Sequence, residues 1–307
     1  MILVTGGAGF IGSHIVRALE KRGSHVRVLD NLSSGKRDNL SGVDAEIVVG
    51  DIRSETDVER AMVGVRVVFH QAAAISVPQT IADPAGTHSV NVEGTVNVLE
   101  KARQAGVERF VFASSAAVYG DEPSLPKSES SPLRPLSPYA LHKIIGEQYL
   151  KLYHDVYGMD TISLRYFNIF GPRQDPNSPY AAAIPIFVAK LHGQQPPTIY
   201  GDGRQTRDFV YIDDAVAANL AAMETTDPAG RVFNVARGEQ TDLLQLLELI
   251  GNAFGRRADP VFTDPRPGDV RHSVASIEAA AQELRYQPQV SLADGLAKTV
   301  RWLIGGE

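Results

Sequence analysis

Ile2-Leu3-Val4-Thr5-Gly6-Gly7-Ala8-Gly9-Phe10-Ile11-Gly12 decides the fold. A short apolar run gives way to glycines at positions 6, 9 and 12, and then to Ile11, Ile15, Val16 and Leu19 at helical spacing. This order predicts a buried strand, a tight turn and a helix. Glycines let the backbone turn sharply and approach a diphosphate, while the helix N-terminus offers N–H donors and a partial positive charge. Gly6, Gly9, Phe10, Ile11 and Gly12 are therefore candidate cofactor-binding residues.

Working outward, a second strand is expected at His25–Leu29, ending at Asp30. A carboxylate there suits the ribose hydroxyls of NAD and repels the extra phosphate of NADP. Asn31, Ser33 and Gly35 lie in a polar loop placed to close over the same ribose, although Lys36 or Arg37 leaves admission of NADP open. Further strands are expected at Glu46–Val49, Val67–His70, Arg109–Ala113 and Thr161–Tyr166, with helices between most of them, notably at Val92–Ala105 and Tyr139–Tyr157. Alternating strands and helices predict an α/β fold, a doubly wound parallel sheet of the Rossmann type. Asp51 and Ile52 follow the third strand, where they suit an adenine amino group and its flat face. Gln71, Ala72 and Ala73 follow the fourth, where small residues let a cofactor lie close.

After residue 167 prolines and glycines cluster, with a strand-like Val232–Ala236 and helices near Asp213–Met223, Leu243–Phe254, Ile277–Leu284 and Leu292–Leu303. This divides the chain into a cofactor-binding domain over 1–167, joined by a returning 213–237 segment, and a smaller C-terminal α/β substrate domain over 168–212 and 238–307.

Composition narrows the chemistry. The 307 residues contain no cysteine, which excludes disulfides, thiol nucleophiles and thiolate metal sites. Net charge is −6, with the two signs interspersed and no basic stripe for nucleic acid. No apolar run approaches the roughly 18 residues of a membrane span. The expectation is a soluble, cytoplasmic protein without a metal site.

Ser137-Pro138-Tyr139-Ala140-Leu141-His142-Lys143 carries the chemistry. Proline suits the first helical position. Leu141, Ile144, Ile145 and Leu152 then recur at helical spacing. Tyr139 and Lys143, four apart, share a helix face. An ammonium near a phenol stabilises the phenolate and makes a usable base. Ser115 lies in Ser114-Ser115-Ala116-Ala117-Val118-Tyr119-Gly120, beyond the fifth strand, and ligands bind beyond the carboxyl ends of such strands.

The glycine loop, Asp30, the Ser-Ser-x-x-Val-Tyr-Gly stretch, Tyr139-x-x-x-Lys143 and Leu164-Arg165-Tyr166-Phe167-Asn168 together resemble the extended short-chain dehydrogenase/reductase family, and within it the UDP-hexose 4-epimerases. The resemblance spans nearly the whole chain. It implies a retained NAD, with Tyr139 taking the proton of the sugar 4-hydroxyl and hydride leaving C4 to give a 4-keto sugar. The sugar then turns and receives hydride on its other face. Lys143 would lower the Tyr139 pKa and hold the nicotinamide ribose, Ser115 would hold O4, and Tyr166 would pack near the nicotinamide. The resemblance also implies Asn168, Arg207 and Arg266 on the diphosphate and Asp269 on the uridine ribose. Guanidinium groups pair well with phosphate oxygens.

Two departures narrow the reaction. Sugar-nucleotide 4,6-dehydratases carry an Asp-Glu pair where this chain has Ala116-Ala117, and UDP-glucuronate decarboxylases place a glutamate in the same stretch. Epimerases confined to glucose and galactose tend to carry tyrosine at the Ser273 position, and serine leaves room for an N-acetyl group. Arg173–Asn177 and Tyr180–Ala182 likewise resemble epimerases acting on UDP-N-acetylglucosamine. The expectation is an NAD-dependent epimerase of UDP-glucose and UDP-galactose that also takes the N-acetylated pair. A UDP-glucuronate 4-epimerase, with Arg271 serving the carboxylate, and a non-catalytic dinucleotide sensor are the alternatives. The family implies a homodimer, its helices at Val92–Ala105 and Tyr139–Tyr157 pairing into a four-helix bundle.

Overall fold

A computed structural model describes the chain except for residues 176–181, 227–229, 266–269 and 306–307. Six strands follow in order: β1 (Ile2–Thr5), β2 (Val26–Asp30), β3 (Ala45–Val49), β4 (Val67–His70), β5 (Arg109–Ser115) and β6 (Thr161–Tyr166). A seventh, Arg231–Val235, pairs with β6. The sheet order is Arg231–Val235, β6, β5, β4, β1, β2, β3, and every pairing is parallel. The order reverses at β1, so the connections leaving the paired strands β1 and β4 run to opposite faces of the sheet and open the crevice in which such sheets bind ligands.

The strands are apolar because helices cover both faces. Val4, Val28, Phe69, Val111, Ile162 and Phe233 pack on one side. Leu3, Leu29, Val68, Phe110 and Phe112 pack on the other. Helix α1 (Phe10–Lys21) buries Ile15, Val16 and Leu19 on the first face, beside the Ile212–Glu224 helix.

The Pro138–Tyr157 helix starts where the sequence indicates. Ser137 Oγ accepts from the N–H of Ala140 at 3.2 Å, proline occupies the first turn, and Gly158 ends the helix in a left-handed conformation. Its inward face differs from the expected apolar row. Ala140, Lys143, Gly146, Glu147, Leu150 and Tyr153 are buried, whereas Leu141 and Leu152 are 46% and 50% exposed. The covering of the sheet here includes two charged side chains, and the leucines face outward.

The sequence reading omitted helices at Glu55–Met62, Val77–Ala82, Pro84–His88 and Ala183–His192, and the Val92–Ala105 helix divides into a π-helical turn at Ser89–Glu93 and an α-helix at Gly94–Gln104. Val77–Ala82 and Pro84–His88 are too short for a period to show. Beyond the sheet, Asn168–Phe170 pairs with Phe209–Tyr211, Thr206–Arg207 with Thr241–Asp242, and Thr198–Tyr200 with Val261–Thr263.

Candidate active site

The glycine turn joins β1 to α1. Gly6 has φ +67°, and a Cβ there would stand 2.7 Å from the backbone N of Ala72. A Cβ on Gly12 would collide with the carbonyl oxygen of Gly6. The turn is thus packed against itself and against the end of β4. Gly9 caps α1 with extended backbone, no side chain caps that helix, and no acidic residue sits in its first turn. Its leading N–H groups are left to an anion, as a dinucleotide diphosphate requires. Phe10 and Ile11 begin the helix, with Phe10 set edge-on against His14.

Asp30 ends β2 beside this turn and is buried. One carboxylate oxygen accepts from the N–H of Ala8 at 2.9 Å and the other from the N–H of Leu32 at 2.8 Å. The aspartate thereby ties the glycine turn to the ribose loop and keeps free lone pairs for hydroxyls. Gly35 is required close by, since its Cβ would lie 2.9 Å from the Asp30 carboxylate. Asn31 receives the N–H of Ser33 at 3.0 Å and donates to Asp51 at 3.0 Å. Asp51 also takes Nε and Nη2 of Arg53 at 2.9 and 2.7 Å, and this guanidinium holds its carboxyl well below the usual range. Lys36, a residue that left NADP open, pairs instead with Asp175 at 2.6 Å. Ile52 is buried against Gly94.

At the end of β4, Ala72 donates to Thr5 Oγ1 at 3.3 Å, and Ala73 follows it at the mouth of the crevice. Gln71 donates to the Tyr166 hydroxyl at 3.1 Å, and that hydroxyl reaches Asn219 Oδ1 at 2.9 Å. Burial pushes the Tyr166 phenol up, which keeps it neutral. Beneath the turn His70 bridges Thr5 at 2.7 Å and Thr95 at 3.0 Å, its pKa driven down to about 3 by burial and then by the charge of Lys143.

Tyr139, Lys143 and Ser115 converge. Ser115 ends β5 and receives the N–H of Ala117 at 3.2 Å. Tyr139 is half-buried, and Ser115 lies near enough to its side chain to pull the pKa of the phenol down. Lys143 Nζ lies 5.8 Å from the centre of the Tyr139 ring and donates to the carbonyl of Ala113 at 2.6 Å. The expected lowering of the Tyr139 pKa does not appear. Burial pushes it up, the Ser115 hydrogen bond opposes that, and the ammonium is turned toward the strand. Lys143 is lowered to about 8 by burial, against which the negative charge of Glu147 works.

Sequence reasoning missed what lies below. Ser114 hydrogen-bonds Glu147, which takes both Nε and Nη2 of Arg165 at 2.9 and 2.7 Å. Arg165 also donates to the Tyr119 hydroxyl at 2.9 Å, and Tyr119 donates to Asn234 at 2.6 Å. Glu147 lies one helical turn past Lys143, and that spacing was its only mark in the sequence.

Asn168 donates through N and Nδ2 to the carbonyl of Asp208 at 3.1 and 3.0 Å. Arg207 occupies a short strand and directs Nη1 to the carbonyl of Thr206 at 2.9 Å. Ser273 donates its backbone N–H to the same carbonyl at 3.1 Å, which joins the two segments. Arg271 grips Asp202 with two nitrogens at 2.9 and 2.7 Å. Arg266 and Asp269 lie outside the described residues, as does most of the 173–182 stretch. Among the described residues no cluster of three or more acidic, histidine or cysteine side chains suits a metal, and no helix is long and apolar enough to cross a membrane.

Comparison with known proteins agrees with this fold. The NAD dependent epimerase/dehydratase family matches residues 2–236. A putative UDP-glucose 4-epimerase of Methanocaldococcus jannaschii is 42% identical over 305 residues, covering 99% of this chain and 98% of its own length. A UDP-N-acetylglucosamine 4-epimerase from Methanobrevibacter ruminantium M1, solved with UDP-N-acetylmuramic acid, superposes with a TM-score of 0.95 at 40% identity, covering 99% of this chain and 97% of that one. A UDP-glucose 4-epimerase from Thermotoga maritima, solved with UDP-glucose, gives the same TM-score and identity over 99% and 98%. With its Rossmann sheet and its packed glycine turn, the chain belongs to the NAD dependent epimerase/dehydratase family.

Proposed function

We propose that this chain is a UDP-sugar 4-epimerase using NAD, acting on UDP-glucose and UDP-galactose and also on their N-acetylated counterparts. The observation that carries the reading is the meeting of Tyr139 with Ser115 at the carboxyl end of β5, with Lys143 on the same helix face. NAD, when bound, supplies the hydride acceptor for C4 and returns the hydride. Tyr139 removes the 4-hydroxyl proton as hydride leaves and gives it back afterwards. Ser115 holds O4 through both steps, and its hydrogen bond eases ionisation of the phenol. Lys143 supplies positive charge nearby. On the sugar-nucleotide side, Asn168, Arg207, Arg266 and Asp269 anchor the UDP, which leaves the hexose free to turn.

Ala116-Ala117 supports epimerisation over elimination, since neither methyl can protonate or deprotonate anything. Ser273, half-buried and hung from Thr206, supports the larger N-acetyl substituent. The pairing of Arg271 with Asp202 weighs against the uronate alternative, in which that arginine would serve the carboxylate. The intact Tyr139, Lys143 and Ser115 set argues against a dinucleotide sensor. Leu141, Leu152 and Val156, exposed along the outer side of the Pro138–Tyr157 helix, support a homodimer built on that helix, which light scattering would test. The deciding experiment is a side-by-side assay of UDP-glucose, UDP-N-acetylglucosamine and UDP-glucuronate with the purified protein. Turnover of the first two and not the third is expected; turnover of glucuronate alone would replace this reading.

A further inference from the structure

We infer that Asp208 is a positioning residue for the nucleotide-sugar pocket, holding the Asn168, Arg207 and Ser273 segments in register; the inference rests on the proposed role of those three residues. Asp208 is completely buried. Among the described residues no cationic side chain hydrogen-bonds its carboxylate. Among those residues it accepts backbone N–H groups alone: Arg237 at 2.8 Å, Gly238 at 2.9 Å and Ala275 at 3.3 Å. The guanidinium of Arg237 turns away, to Glu239 and the carbonyl of Val290. The backbone carbonyl of Asp208 meanwhile takes both donors of Asn168.

Each anchor is therefore at most two positions from a bond made by this one residue. Asn168 is bonded directly, Arg207 precedes it in the chain, and Ser273 is two residues before Ala275. Burying a carboxylate with no cation bonded to it is costly, and the cost shows as a pKa raised to about 6. The chemistry explains why a carboxylate is used. Three N–H groups from two loops converge, and an ionised carboxylate presents acceptors only. An asparagine would set its own NH2 against one of those donors. Among the described residues Asp208 hydrogen-bonds none of those assigned to proton or hydride transfer, so its influence falls on nucleotide binding and leaves the chemical step alone.

The test compares Asp208→Asn, Asp208→Ser and Arg207→Met with wild type as purified holoenzyme, measuring UDP affinity by calorimetry, kcat and KM, NAD content and melting temperature. For both Asp208 variants UDP affinity should weaken by roughly tenfold or more and KM should rise, with kcat within about threefold. NAD content should stay at the wild-type level, and melting should fall only slightly. Wild-type UDP affinity in Asp208→Asn while Arg207→Met is weakened would overturn the inference alone. Wild-type affinity in all three variants would remove the pocket reading beneath it. Loss of NAD together with a collapsed melting temperature in both Asp208 variants would show a general structural role and equally overturn the inference.

Discussion

The ammonium of Lys143 donates to the carbonyl oxygen of Ala113 across 2.6 Å and stands 4.8 Å from the centre of the Phe112 ring. The positive charge is thus pinned under the carboxyl end of β5, in a place where burial brings its pKa down to about 8. Lysine is charged below its pKa, so the positive charge that the proposed mechanism places near Tyr139 fades as pH rises through 8. The kcat profile should therefore carry a descending alkaline limb near pH 8. Lys143→Arg, which stays charged, should lose that limb whatever its absolute rate. A wild-type profile still rising at pH 10 would refute the assignment.

Tyr139→Phe removes the hydroxyl assigned as the base and leaves the ring in place. Turnover should drop by about 10²–10⁴-fold, the usual scale of general acid–base catalysis. UDP affinity measured by calorimetry should stay at the wild-type value, because the proposed UDP anchors are other residues. A fully active variant would sink the mechanism.

Glu147 and Arg165 form a pair whose side chains are 2% and 4% exposed. Removing one partner of such a pair strands a buried charge, so Glu147→Leu should cost about 3–5 kcal/mol in denaturant unfolding. Glu147→Leu combined with Arg165→Met should recover much of that loss. Recovery is the informative outcome: if the double variant is no more stable than the single one, the pair is held by something other than charge balance.

Ser273→Tyr should lower kcat/KM for UDP-N-acetylglucosamine by at least about tenfold and spare UDP-glucose. Parallel assays on the two substrates read the difference directly. Equal losses on both would mean that the 273 position shapes the loop and does not gate the pocket.

The sheet was legible because most of its strands, the edge strand β3 apart, are buried on both faces and read as largely apolar runs, several of them ending at a glycine or a carboxylate. Val67–His70 and Thr161–Tyr166 coincide with the sequence reading, and β5 extends two residues further to Ser115. Spacing along one helix also put Tyr139 beside Lys143. What escaped were interactions between charges distant in the chain. Nothing local tells that Glu147 meets Arg165, that Lys36 meets Asp175, or that Asp208 gathers N–H groups from positions 237, 238 and 275. The direction of the Tyr139 shift escaped because burial, which pushes the phenol up, is set by the packing of other elements around it. Sequence spacing brings an ammonium near a phenol, but the backbone carbonyl of Ala113, from another element, decides where the ammonium points.

The Arg231–Val235 strand has a consequence for how the protein is made. A nascent chain released only as far as Tyr166 has six of the seven strands, and β6 is then an open edge bearing Ile162 and Leu164, both fully buried in the finished protein. Such an edge is a template for pairing with other chains. It is covered only after some seventy further residues have left the ribosome, so the cell must shelter a sticky half-built sheet during that interval. Fragments that end shortly after β6 should accordingly aggregate, and a useful truncation has to keep the strand that closes the sheet.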